Sequence, residues 1–369
     1  MQAYTLNRQF QRQEVIDAFN SLIWTERYYG DSECVLVVPA TKDSMAKFPP
    51  GVFLELEGSQ EIMILEQDSV EDGLATYSGI SLLKWMNNRF TRASAAHVDR
   101  YYNIPAGFIG IPQSLWQIFQ YIIITQGPDG IPNKERLLIP NIGLKSHDLG
   151  GPLDAIAVPY GPLYDVLREI AEAYQVGMSL TLEEVTETTY RLEFMSYRGK
   201  DRTSAQTELP VVRFSPEMDS LTDIKELTSL ENYKTEAWVF VPSNPGSLAT
   251  TPGHAVVDGA SEATGFDLRA IMVFADDITT DQVGGSAAAM LEQLNMRAKA
   301  ALGEHPYVAH VDGEIVSTGQ FQYGRDYFLG DVIEMAGPSG IVQNGRVTEY
   351  IRSHDETGER AYPTVTMIS

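Results

Sequence analysis

Cysteine is almost absent from the chain: Cys34 is the one such residue in 369. An internal disulfide and any cysteine-built metal cluster are therefore excluded. Placed before Val35-Leu-Val-Val38, Cys34 reads as a small buried hydrophobe. Basic residues are scarce as well, with 27 Lys+Arg against 50 Asp+Glu and a formal net charge of −23. Such a chain is a poor grip for nucleic-acid phosphates, which its own field repels. Long hydrophobic runs are missing. The longest, Leu115 to Ile124, is interrupted by glutamines and is too short to span a bilayer. The opening Met1-Gln-Ala-Tyr-Thr-Leu-Asn-Arg8 lacks the basic-then-apolar profile of a signal peptide. A soluble protein made in a cytoplasm is the expectation.

Metal and nucleophile motifs are also wanting. His97, His147, His254, His305, His310 and His354 include no pair with the spacing of His-Glu-x-x-His. The nearest pair, His305 and His310, straddles a helix-to-strand junction and offers no metal site. Gly284-Gly-Ser286 and Tyr77-Ser-Gly79 approach nucleophile or phosphate-loop patterns without completing either. The first reads more simply as a helix cap. No catalytic, cofactor-binding or metal-binding residue is assigned, and no cofactor is implied.

The chain does contain enough material for two or three domains: 43% hydrophobic residues, with 30 Gly and 19 Pro to turn it. Short strands separated by turn formers recur at Cys34–Val38, Val52–Leu56, Glu61–Leu65 and Ala75–Ser78, the pattern of a barrel or sandwich. Val15, Ile16, Phe19 and Ile23 fall at helical spacing, so a short amphipathic helix is expected over 12–23. A small helix is expected within Gly79–Met86. Pro112 opens a helix toward Ile124, and Pro162 opens the clearest one, with Leu163, Val166, Leu167, Ile170 and Tyr174 as its stripe and Gly177 as its stop.

Met178–Leu182 and Tyr190–Phe194 read as strands, as do Val211–Phe214, Glu236–Val241 and Leu268–Phe274. Leu221 to Tyr233 is polar, and Ser243 to Gly265 is expected to be irregular. A further helix carries Met290, Leu291, Leu294, Ala298 and Leu302 and stops at Gly303. The last fifty residues form a meander: Gly330-Asp331 leads into Val332, Asn344-Gly345 is the strongest short hairpin signal, and Asp355 to Gly358 supplies the final turn.

Two carboxylate clusters stand out, Glu183-Glu184 with Glu187 and Asp276-Asp277 with Asp281. A carboxylate pair can hydrolyse glycosides. In so acidic a chain, solvated faces explain them better, and the second cluster lacks the loop spacing of a calcium site. Tyr28-Tyr29 and Tyr101-Tyr102 suit a sugar-binding surface or a subunit interface, with interface preferred.

The run Tyr323-Gly-Arg-Asp-Tyr-Phe-Leu-Gly-Asp-Val332, then Arg346-Val-Thr-Glu-Tyr-Ile351, then Tyr362-Pro-Thr-Val365, resembles the C-terminal end of phage tail-tip proteins. These are the baseplate hub (tail-associated, Tal-like) proteins of long non-contractile tails, related in fold to the central hub of contractile-tail baseplates. Gly79-Ile-Ser-Leu-Leu-Lys-Trp-Met86 followed by Arg89, the Gly161-Pro-Leu helix, and Phe214-Ser-Pro216 with Tyr233-Lys234 resemble further family segments in the same order.

The resemblance implies an α+β, mainly β fold: two similar antiparallel, tail-tube-like β-barrels with an inserted α+β middle domain. The first barrel would span 1–110 and the middle domain 111–205. The second barrel would open over 206–245 and close over 306–369, with an insert at 246–305. It also implies a structural, non-enzymatic protein of the virion tail tip, assembled in the host cytoplasm. Three copies would form a ring that continues the tube and serves as a conduit during DNA ejection. The implied partners are two further copies of the chain, a distal tail or tail tube protein, the tape-measure protein, and tip or fibre proteins. Phage DNA would pass through the lumen unbound, with the host envelope nearby. Ending at Ser369, the chain would leave hydrolase and receptor-binding modules to other proteins. The alternatives are a cell-wall-degrading hydrolase and a carbohydrate-binding module at the tip.

Overall fold

The structure is a computed structural model that describes all residues except 93–100, 105–110, 129–130, 146–155, 187–188, 242–250, 277, 279–286, 317–319 and 369. The chain forms two compact units. One comprises Met1–Thr222, Glu314–Ala336 and Asn344–Ser369; the other comprises Asp223–Gly313 and Gly337–Gln343.

The first unit is built on an 11-stranded sheet. From one edge its strands are Arg213–Phe214, Val332–Ala336, Val342–Asp355, Ser21–Arg27, Glu33–Pro39, Leu74–Ser81, Ile62–Glu71, Phe53–Leu56, Ala3–Leu6 and Arg12–Ile16, while Gly358–Met367 pairs separately with Val342–Asp355. Among the described residues this sheet does not close into a barrel. Alternation drives it: Cys34, Leu36 and Val38 are buried on one strand, and Ala75 and Tyr77 on its neighbour, with their sequence neighbours less so. Trp24, Leu36, Leu54, Leu56 and Met63 fill the core beneath. Each such side chain contributes about 1.5–3 kcal/mol when fully buried. The strand Arg12–Ile16, at one edge, is almost wholly exposed and carries Arg12 and Glu14, charges that discourage stray pairing.

The two ends of the chain meet within this sheet. Glu349–His354 pair antiparallel with Arg27–Leu22, and the ion pair of Arg27 Nε with Glu349, at 2.5 Å, joins residues 322 apart in sequence. The expected helix over 12–23 is not formed. Arg12–Ile16 and Ser21–Arg27 are strands pairing with different neighbours, and Ile16 and Leu22 reach the core from them. The apolar spacing was compatible with both periods, and strand partners distant in sequence decided between them. Asn344-Gly345 does not make a hairpin either. It lies inside the Val342–Asp355 strand, and the turn sits earlier, where Gly337 N–H bonds Ile341 O and Gly340 takes φ +85°. Gly345 is needed for another reason: a Cβ there would overlap the Val365 side chain on the adjoining strand.

Helices Ile111–Phe119 and Leu163–Ala173 pack with the hairpin Gly177–Thr186/Thr189–Tyr197 around a second core. Phe119 and Phe194 stack there at 4.0 Å. The first helix continues over Gln120–Thr125 with wider turns, Gln126 N–H reaching back to Tyr121 O. The second starts after Pro162 as expected, but Gly177 does not end it. Gln175, at φ +54°, makes that reversal, and Gly177 begins the next strand. The helix expected within 79–86 starts at Leu82, capped by Ser81 Oγ accepting from Lys84 N–H.

In the second unit, strands Gly253–Val256, Glu236–Phe240 and Ala270–Phe274 form a three-stranded sheet, and Leu221–Ser229 pairs with Val308–Ile315. The polar Leu221 stretch is thus a strand. Helix Ala287–Gly303 lays Met290, Leu294 and Ala298 on Ala237 and Val239. It approaches so closely that a Cβ on Gly253 would overlap the backbone of Leu294. Among the described residues, no helix is long and apolar enough to cross a membrane.

Candidate functional site

Among the described residues, those singled out by sequence form no shared cluster within either unit. Glu183 is ion-paired with Lys145 and lies opposite Arg191 in the hairpin register, a solvated cross-strand arrangement. Glu184 and Asp276 are exposed. Glu187, Asp277, Asp281, His97, His147 and the Gly284–Ser286 cap lie outside the described residues. His254 stacks on Trp238 at 3.8 Å with Nε2 3.4 Å from Glu236, and His354 meets Phe19 edge-on beside Glu359. Among the described residues no three His, Cys, Asp or Glu side chains come together as a metal site. Tyr101 and Tyr102 lie on a short strand paired with Ile156–Pro159.

Cys34 is buried as expected, and burial pushes its thiol up to about 12. It sits against Gly79, whose place no larger residue fits: a Cβ there would come 2.8 Å from Cys34 Sγ.

Tyr28 departs most from its reading as a surface aromatic. It is fully buried and forms a junction of three chain segments. Its hydroxyl accepts from Gly199 N–H at 3.0 Å, and it lies within donating distance of Gln175 O, at 3.1 Å, and Tyr197 O, at 3.2 Å. Its backbone continues the contact, Tyr28 N–H bonding Thr348 O and Met178 N–H bonding Tyr28 O. A Cβ on Gly177 or on Gly330 would overlap its ring, so both glycines are dictated by this one side chain. Arg346 lies over the ring at 5.7 Å and donates to Gly330 O at 2.7 Å.

Around this junction the structure buries charge. Asp331 accepts from Lys200 N–H and from Arg202 Nε, both at 2.7 Å, and is 3% exposed. Glu334, equally buried, accepts from Ser204 N–H at 2.8 Å and Arg213 Nε at 2.6 Å. Burial alone would raise the Glu334 pKa, but these bonds outweigh it and hold the carboxyl below its ordinary value. Glu26 accepts from Ser59 Oγ and lies 3.7 Å from Arg352. Glu61 is the exception. Burial first, then the neighbouring Glu26, pushes it up to about 8, with a Ser32 hydrogen bond opposing, and its Oε2 has no partner.

Sequence reasoning missed all of these acids. The available signal was a carboxylate inside an apolar strand, as in Val332-Ile-Glu-Met335. Chemically the arrangement clamps segments together: polar groups that are costly to bury unpaired fix one register between strands distant in sequence.

The family described as Siphovirus ReqiPepy6 Gp37-like protein matches residues 3–365. No curated protein matches the chain. Among solved structures, the prophage tail protein gp18 from Listeria monocytogenes EGD-e is similar over 100% of this chain and 94% of its own, with a TM-score of 0.50 and 12% identity. The 43 kDa tail protein of prophage MuSo2 from Shewanella oneidensis matches over 96% and 95% respectively, with a TM-score of 0.49 and 11% identity. A chain of the p2 virion baseplate in its activated conformation matches over 98% of each chain, with a TM-score of 0.43 and 12% identity.

Proposed function

The chain belongs to the Siphovirus ReqiPepy6 Gp37-like family, a family of phage tail proteins, and from that premise we propose that it is the structural baseplate hub of a phage tail tip. The observation that carries this reading is the extent of the match, residues 3–365. In this reading three copies form a ring. Residues 1–110, and 206–245 with 306–369, act as two tube-like domains in each copy around an α+β middle domain at 111–205 and an insert at 246–305. Six such domains let a threefold tip meet a sixfold tube through repeated, similar interfaces. Exposed sheet edges such as Arg12–Ile16 are covered by neighbours in the ring.

The net charge of −23 supports a conduit, because DNA sliding along an acidic wall is repelled by it. The role is structural rather than catalytic, and the ring is assembled in the host cytoplasm. A distal tail or tube protein, the end of the tape-measure protein, and tip or fibre proteins are its neighbours.

Antibody-labelled virions examined by electron microscopy test the assignment. Label confined to the distal end of the tail is expected. Label along the tube or on the head, or protein absent from purified particles, would overturn it.

A further inference from the structure

A cavity of about 980 Å³ opens in the first unit beside the strands Phe53–Leu56 and Ile62–Glu71 and the helix Leu82–Trp85. Ligand pockets occupy roughly 300–1,000 Å³, so this one is large enough for a small organic molecule. Its lining is mostly apolar: Phe10, Phe53, Ile64, Leu82, Met86 and Leu192 are all buried. The wall is preformed. Phe10 stacks on Phe53 at 5.6 Å, although it must take φ +61° to do so. Asn7 holds that turn, its carbonyl accepting from Phe10 N–H and its side-chain oxygen from Gln9 and Gln11 N–H.

Two arginines line the same cavity, in a chain where acids outnumber bases 50 to 27. Arg8 lies 4.3 Å from the centre of the Phe53 ring, and Arg89 lies 5.3 Å from that of Trp85. Arg89 is half-buried and is held in place by donating to Leu137 O at 2.7 Å and Asn88 O at 2.9 Å. Those carbonyls orient the guanidinium without neutralising it. Neither arginine has a carboxylate within salt-bridge distance among the described residues, and burial lowers the Arg89 pKa for want of one. The one acid in the lining, Glu66, is exposed. A preformed apolar wall with an oriented, uncompensated cation matches an apolar body carrying one anionic group.

We propose that this cavity binds a small amphiphilic carboxylate, its apolar part against Phe10, Phe53, Met86 and Leu192 and its carboxylate on Arg89. The inference does not depend on the tail role. Arg8, more exposed, contributes attraction from the rim rather than a fixed contact.

Decanoate, below its micelle concentration, is the probe, titrated into the full chain by calorimetry with Trp85 fluorescence as a second readout. Saturable binding of one decanoate per chain is expected. Decanol, the same apolar body without charge, should bind at least about tenfold more weakly, as should decanoate to Arg89→Gln, since a charge-assisted bond is lost in each case. Should Arg89→Gln not fold, Arg8→Gln gives the same reading with a smaller weakening and a reduced salt dependence. No saturable decanoate binding, equal affinity for decanol and decanoate, or unchanged binding in the folded arginine variants would overturn the proposal. So would binding of an apolar peptide with a terminal carboxylate where decanoate fails, which would make the cavity a protein-docking site.

Discussion

Tyr28 and Gly330 occupy each other's space: the tyrosine ring fills the volume that any side chain at 330 would need, and Gly330 holds φ +87°. Gly330→Ala therefore meets two penalties at once, an overpacked core and a conformation that L-residues avoid. A loss of about 3 kcal/mol or more is expected, measured by urea denaturation. Tyr28→Phe keeps the ring and removes only the hydroxyl that meets Gly199 N–H, so a smaller loss of about 1–2 kcal/mol is expected. Equal losses in the two variants would contradict the junction as described.

The side chains of Asp331 and Arg202 are both buried, 2.7 Å apart, and belong to residues 129 apart in sequence. Asp331→Ala leaves a buried guanidinium uncompensated and two backbone N–H groups without their acceptor, for an expected cost of about 3–5 kcal/mol. Replacing both partners with apolar residues should cost clearly less than the sum of the single changes. A double-mutant cycle of unfolding free energies checks it, and additivity would mean the pair is not coupled.

Glu61 gives stability a pH dependence of defined sign. Its folded pKa, about 8, lies above the ordinary 4.5, so the native state holds a proton that the unfolded state has released. The contribution is complete below about 4.5 and is lost as pH rises through about 8, on the order of a few kcal/mol. Unfolding experiments from pH 5 to 9 should show this decline, and Glu61→Gln should flatten it. Glu26→Gln, which removes the neighbouring charge, should move the decline to lower pH. A Glu61→Gln profile that keeps the wild-type slope would show that another group is responsible.

Cys34, with its thiol raised to about 12, should be inert toward a thiol-disulfide reagent at pH 8 in the folded protein and react fully in urea. Rapid labelling without denaturant would mean that the strands around Gly79 open readily.

Much of the fold was legible where local chemistry decides it. Pro162 before an amphipathic stripe, Gly303 after one, and alternation through Cys34-Val-Leu-Val-Val38 all correspond to observed elements. The failures have a common cause. At 12–23 and at Asn344-Gly345 the outcome depends on partners far away: Leu22 to Arg27 pair with residues beyond 348, and Gly345 is shaped by Val365. The buried acids escaped for the same reason, since Asp331 is read as a turn residue until Arg202 is placed beside it. Tyr28 looked like a surface aromatic because its glycine counterparts, Gly177 and Gly330, are remote in sequence.

The proposed assembly of the hub as a ring of three can be checked by mass photometry with negative-stain imaging of tail tips released from disrupted virions. Particles containing three copies of this 369-residue chain around a central hole, with threefold averages, are expected. Tips holding one, two or six copies, or three copies enclosing no channel, would contradict it.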